Sequence, residues 1–313
     1  MFRAILFDVE HGFCAFLKTP TGRTILVDCG KAANFSPIKY IREHELGGVQ
    51  SLNERPLTEF VVTHPHEDHI EDIDSVIRDF PPALLRRHKF NWDYIKTGNT
   101  GAGCYECLDK YSEWQARYDA PAVEPDFGAS VQFFSLTPNE ARAISSSNNS
   151  TVNNSSLVVV VTVVGTQVPC KFVFGGDMEQ AGWTELLKRQ NFRNAVAGTC
   201  FYFASHHGHK SGFSTELLAA MGTPLLNIVS ITSCDESHDD RYSSREFAQG
   251  FPVGGEWRRM LTTRTDGAVC IDVNNAGVAT VTAKHLPENL LAREFNALAA
   301  LAGMGLDPNY YRR

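Results

Sequence analysis

A chain of 313 residues with 43% apolar content can bury a sizeable core, enough for one large α/β domain or two small ones. The formal net charge of −7 argues against a protein that coats nucleic acid electrostatically, while leaving room for a local basic groove. No apolar run is long enough to span a membrane or, from Met1 to Asp8, to serve as a secretory leader, and eight scattered cysteines form no dense disulfide framework.

The expectation is therefore a cytoplasmic globular protein with reduced thiols and no membrane association. Cys104 and Cys107 make the one tight pair, but no second Cys or His pair follows at finger spacing, so ordinary roles are expected for both.

In chain order, Ile5–Val9, Cys14–Leu17 and Thr24–Val27 read as three strands, the last two joined by a turn at Gly22. An amphipathic stretch runs from Ile38 to His44. Phe60-Val61-Val62 then forms a strand that delivers Thr63 and a histidine cluster, and Ile70–Phe80 follows as a helix. Residues 81–127, aromatic and charged without clean periodicity, read as an inserted region over the site. Ser145–Ser156 is almost entirely Ser, Asn and Thr, which predicts a mobile loop. Buried strands follow at Leu157–Val164 and Lys171–Phe174, a helix at Trp183–Arg189, and a strand at Phe201–Phe203. A C-terminal helical segment spans about 287–303, its apolar stripe from Leu290 to Leu301 serving the core or a dimer contact. No linker stands out, so 1–313 is read as a single domain whose polar clusters sit where strands stop.

His64-Pro65-His66-Glu67-Asp68-His69 packs three imidazoles and two carboxylates into six residues. An extended backbone points His64 and His66 the same way, so both can grip one metal ion; the turn into the next helix lets Asp68 and His69 reach a second. A cluster of this density directly after a β run is hard to explain as structure alone.

These residues, with Gly175-Gly176-Asp177 and the His206/His207 pair, resemble the metallo-β-lactamase superfamily, whose signature is H-x-H-x-D-H at a strand end. The resemblance covers residues 2 to about 240. It implies a four-layer αββα sandwich holding two divalent metal ions at one edge of the paired sheets. Within the superfamily the sequence is similar to the hydrolase domain of competence-channel (ComEC-like) proteins and their stand-alone soluble relatives. The elements that carry this are Phe7–Gly12, Ile25–Gly30, Asn153–Val158 and His206–Gly208. Glu10, His11 and His209 depart from the pattern, standing where Gly, Gln and Ser are common.

By that resemblance His64, His66, Asp68, His69, Asp177 and His206 are metal ligands, with Asp177 bridging both ions. One of His206 and His207 completes the second metal; His206 is preferred because it directly follows the strand, leaving His207 to face substrate, and the reverse stays open. Asp28 is expected to hold a ligand histidine in one tautomer. The superfamily also supplies a third histidine to the first metal, between the first motif and the bridging Asp. His88 falls in that interval, but it lies early, within the basic run Arg86-Arg87-His88-Lys89. Asn153 occupies the topological place of the missing histidine, as a weak oxygen ligand or substrate contact, which implies a loosely held first metal.

Two such ions would activate water to hydroxide for attack on a carbonyl or phosphorus centre. Asp68, His207, Lys210 and His238 are the catalytic candidates, with His209 and Ser211 as substrate contacts. Lys210 and Ser211 could bind a phosphate oxygen, and Arg241, Arg245, Arg258 and Arg259 could extend that surface. A phosphodiesterase or nuclease is expected, with nucleic acid or a phosphodiester small molecule as substrate. The alternatives are a small-molecule hydrolase acting on an ester, lactone, cyclic nucleotide or phosphorylated metabolite, and a defence or regulatory component activated by a protein partner. Histidine and carboxylate ligands suit zinc first and manganese next.

Overall fold

The structure is a computed structural model that describes residues 1–47, 57–89, 105–120, 122–165, 167–231 and 247–286. Strands run in the order β1 (Phe2–Leu6), β2 (Ala15–Lys18), β3 (Thr24–Val27), β4 (Glu59–Val61), β5 (Leu84–Arg86), β6 (Ser130–Phe134), β7 (Val158–Val164) and β8 (Pro169–Phe174). After these come β9 (Phe201–Phe203), β10 (Leu226–Val229), β11 (Phe251–Val253), β12 (Glu256–Arg258), β13 (Met260–Thr262), β14 (Ala268–Val273) and β15 (Ala279–Lys284). Among the described residues they form two sheets, one ordered β12-β11-β15-β14-β1-β2-β3-β4-β5 and the other β13-β10-β9-β8-β7-β6.

Period-two alternation makes these strands two-faced. In β1 and β2, Phe2, Ala4, Leu6, Ala15 and Leu17 point between the sheets, and Ile5 and Phe16 point outward. In the second sheet Val159, Val161, Phe172, Phe174, Phe201 and Phe203 face inward, while Val158, Val160, Val173 and Tyr202 face out. Both outward faces are apolar, so each sheet needs a helical cover. Helices α1 (Pro37–Tyr40), α2 (Glu67–Ile70), α3 (Ile73–Asp79) and α4 (Tyr105–Gln115) cover the first. The second sheet's covering set comes later in the chain: α5 (Pro138–Ile144), α7 (Gln180–Leu187), α8 (Gln190–Val196) and α9 (Thr215–Met221), while α6 (Asn148–Asn154), packed beside α5, sends Val152 into the first sheet's outer cluster. Three apolar clusters thus separate four layers in the order αββα.

Two expectations change. Ser145–Ser156 is not a loop: α6 occupies most of it, and residues Ser150 to Ser156 are buried. Composition misleads here because the polar side chains bond to the chain itself instead of to water. Ser147 caps the helix, Thr151 and Ser155 donate to carbonyls one turn back, and the amides of Asn153 and Asn154 donate to Glu179. Within 81–127 the described residues include β5, which pairs in parallel with β4, and α4, which packs in the core. The helix expected over Ile70–Phe80 is divided between α2 and α3. The C-terminal segment, Cys104, His238, Arg241 and Arg245 lie outside the described residues. The six described cysteines are free thiols, and among the described residues no helix is long and apolar enough to cross a membrane.

Candidate metal centre

Strands β3 and β4 run parallel in one sheet, and β8, β9 and β10 run parallel in the other. Their carboxyl ends meet at one edge of the sandwich, where backbone must leave the sheets and polar side chains can converge. Asp28 follows β3, Thr63–His69 follow β4, Gly175–Asp177 follow β8, Ser205–His207 follow β9 and Ser230 follows β10.

The histidine turn is clamped by backbone bonds on both sides. Phe13 N–H donates to Asp68 O at 3.2 Å and Cys29 N–H to His69 O at 2.8 Å. A Cβ on Gly12 or Gly30 would come within 2.3 or 2.4 Å of Asp68 O, so both glycines permit the approach. Asp177 is fixed from the other side. Its N–H donates to Ser156 Oγ at 3.0 Å, and Gly176 O accepts from His206 N–H at 3.0 Å and Ser205 Oγ at 3.1 Å.

Two groups of donors result, each gathered within 4.8 Å: His64, His66 and Asp177, a first position, and Asp68, His69, Asp177 and His207, a second. Asp177 belongs to both. Its Oδ1 lies 3.1 Å from His69 Nε2 and 3.6 Å from His207 Nε2, and its Oδ2 lies 3.7 Å from His64 Nε2.

Hydrogen bonds assign the protons. Asp28 accepts from Thr63 N–H and Thr63 Oγ1–H and from His69 Nδ1, all at 2.7 Å, which leaves His69 Nε2 facing the cluster. Because Thr63 Oγ1 donates to Asp28, its oxygen accepts from His64 Nδ1 at 3.1 Å and turns His64 Nε2 inward. Ser230 O accepts from His207 Nδ1 at 3.2 Å, with the same result. His64 Nε2 stands 3.1 Å from His66 Nδ1, and His69 Nε2 stands 3.3 Å from His207 Nε2. Two nitrogens about 2.1 Å from one ion at tetrahedral angles would be about 3.4 Å apart, so both pairs have chelating separations.

The electrostatics agree. Burial pushes His64 well below the usual imidazole range and His66 down to about 4, so both are neutral and can offer lone pairs. At His69 burial also pushes down, but Asp177, Asp68 and Asp28 more than offset it and hold the imidazole well above its usual value. Burial would raise Asp68 and Asp177, yet the surrounding histidines keep both carboxylates well below theirs. The cluster therefore demands positive charge in a buried place. Asp177 Oδ1 and His66 Nε2 are buried without a hydrogen-bond partner. Imidazole and carboxylate donors converging on unbalanced negative charge fit divalent cations.

No family model and no curated protein matches the sequence. Similar solved structures include Zn(2+)-bound PqqB from Methylobacterium extorquens, 10% identical over 87% of this chain and 100% of that one, with a TM-score of 0.45. Igni18, a metallo hydrolase from Ignicoccus hospitalis, is 14% identical over 87% and 100%, with a TM-score of 0.40. A B3 metallo-β-lactamase with an active-site glutamic acid is 17% identical over 55% of this chain, with a TM-score of 0.32; the chain spans 59% of that protein's length. What decides the architecture is the paired sheets, their helical covers and the His/Asp cluster at the shared edge. The fold is a four-layer αββα sandwich.

Not every residue singled out in the sequence meets the cluster in the same way. The sequence allows either of His206 and His207 at the second metal and prefers His206; in the structure His207 Nε2 lies 3.0 Å from Asp68 Oδ2, while His206 is in neither group. Asn153 donates to Glu179 Oε1 at 3.1 Å, its Oδ1 is buried without a partner, and its helix supports the Asp177 loop. His88 lies outside both groups beyond β5, and burial lowers it to about 4. His209 and Ser211 bond to each other beside His206, and Lys210 is exposed between them. Arg258 is paired with Asp266 at 3.0 Å.

Residues the sequence reading did not place in the site include His11, Ser156 and Ser230. His11 Nε2 lies 3.5 Å from Asp68 Oδ2, and its ring lies 5.2 Å from that of His207, on the exposed side. Its position in an Asp-Val-Glu-His-Gly turn is a usable signal; isolated serines carry none.

Proposed function

We propose that the chain is a metal-dependent hydrolase with a dinuclear centre, acting on phosphodiester bonds. The observation that carries the reading is Asp177, whose two oxygens face two separate sets of histidines. Two cations bound there would acidify water near neutral pH and polarise the bond under attack. The chain's own part is to hold that geometry. Asp28 and Ser230 O keep His69 and His207 with Nε2 inward, and the clamped turn fixes Asp68 between them. His11, half exposed beside Asp68, and Lys210, exposed after the histidine loop, are the groups placed to meet an anionic substrate. A donor set without thiolate supports zinc or manganese. Kinship to ComEC-like hydrolase domains is proposed on the motif residues Phe7–Gly12, Asn153–Val158 and His206–Gly208.

The net charge of −7 favours a second reading, a hydrolase of small molecules such as cyclic nucleotides or esters. Metal-reconstituted protein, beside Asp177→Ala, should be incubated with single- and double-stranded DNA, RNA, cyclic nucleotides and a chromogenic phosphodiester. Cleavage of polymer that Asp177→Ala abolishes is the expected result. Turnover of small substrates alone would transfer the assignment to the second reading, and equal rates in the variant would overturn both.

A further inference from the structure

We propose that the consecutive histidines divide between the two positions, His207 serving the second and His206 completing the first as its third imidazole. The inference rests on the dinuclear reading above and goes beyond it, because His206 stands outside both donor groups.

Three observations carry it. The first is direction. Asp177 Oδ2, the oxygen 3.7 Å from His64 Nε2, lies 3.9 Å from His206 Nε2, whereas Oδ1 faces His69 and His207. The two adjacent imidazoles therefore address opposite oxygens of one carboxylate.

The second is backbone. His206 (φ 52°, ψ 46°) and His207 (φ 51°, ψ 29°) are both left-handed, a conformation that costs a residue with a Cβ and that rarely occurs twice in succession. It holds the rings 6.4 Å apart at 65°, diverging from one short turn. Strain of this kind persists where the surroundings impose it, and here Gly176 O accepts from His206 N–H while Trp183 Nε1 donates to Gly212 O across the same loop.

The third is tautomer. Ser211 N–H donates to His209 Nδ1 at 3.2 Å, which makes that nitrogen an acceptor. The Ser211 hydroxyl, 2.8 Å from the same atom, donates to it and so accepts from His206 Nδ1 at 2.7 Å. His206 then carries its proton on Nδ1 and turns its unprotonated Nε2 toward Asp177 Oδ2. His64 and His66 with one Asp177 oxygen supply three donors; His206 Nε2, on the same side of that carboxylate but more than 4.8 Å from at least one of the three, would move in to serve as the fourth when an ion is bound. Ser211 and His209 act as positioning residues for that ligand.

The test is metal stoichiometry, independent of turnover. Metal-free protein is titrated with Co(II) and with Zn(II), following bound equivalents and the visible Co(II) spectrum. Wild type takes two equivalents. His206→Gly, which suits the left-handed backbone and so preserves the fold, keeps one equivalent at wild-type affinity and weakens the other by about 100-fold or more. Ser211→Ala weakens that same equivalent by about 10-fold, and His207→Ala weakens the opposite one. If His206→Gly bound both equivalents with wild-type affinity and an unchanged Co(II) spectrum, the assignment of His206 would be wrong. A wild-type chain that took up no second equivalent would instead overturn the dinuclear reading, and the inference with it.

Discussion

At the scale of single residues, the centre depends on side chains that touch no substrate. Asp28, itself left-handed at φ 56°, spends its two oxygens on Thr63 and His69 and thereby orients one imidazole in each position. Asp28→Asn keeps the shape but replaces one acceptor oxygen by a donor. It should weaken metal binding by about 10- to 100-fold with the fold retained, measured by competition with a chelator; unchanged affinity would show that the tautomers are held by other means. The strain at His206 gives a second expectation. Without metal, His206→Gly should be as stable as wild type or up to about 1 kcal/mol more stable, and with saturating Zn(II) the order should reverse, read by thermal melts at both conditions. The first motif was legible because six adjacent residues held five ligand-type side chains. The division between His206 and His207 was not, because sequence order places both after β9 and only the left-handed turn separates their directions.

At the scale of elements, polar segments do structural work that composition hides. The α6 run Asn148–Asn154 was legible as polar but not as buried, since burial depends on Glu179, 25 or more residues away in sequence, receiving its amides. Beside it, α5 begins with a capping box in which Thr137 N–H and Oγ1 bond Glu140, and Arg189 adds an ion pair at 2.8 Å. The Thr137 backbone bond first, then its hydroxyl and Arg189, lower Glu140 from 4.5 to about 2. The folded carboxylate thus binds its proton more weakly than the unfolded one, so its stabilisation is present above pH 4.5 and lost as pH falls through about 2. Because Glu140 is nearly half exposed, solvent screening limits the effect to about 0.5–1 kcal/mol. Glu140→Gln should cost that much at pH 7 by urea denaturation, and the difference should vanish near pH 2; a gap that persisted there would assign it to packing. In the clamp, Gly30→Ala would drive a Cβ to 2.4 Å from Asp68 O and 3.0 Å from Phe13 N. Since backbone has to move, a loss of about 2 kcal/mol or more is expected, together with weaker metal binding.

At the scale of the whole molecule, strands β1–β4 and β7–β9 were legible, because each is an apolar run stopped by a turn or a polar cluster, whereas β6 and β10–β15 were not read. The pairing of β5 with β4 was not, since three residues inside an aromatic and charged stretch leave no periodic signal. The inter-sheet layer holds the site together from beneath. Phe174 and Phe203, stacked at 4.2 Å, end the two strands that deliver Asp177 and the histidine pair. Phe203→Ala should therefore destabilise the fold by about 3–5 kcal/mol and loosen the centre as well.

The central claim is that Asp177 is shared between two cation positions. It is tested most directly by counting metal equivalents bound per chain, by elemental analysis after dialysis, in wild type and in folded Asp177→Ala. Two equivalents in wild type and one or none in the variant is the result predicted; two equivalents in both would contradict a shared carboxylate and the centre built around it.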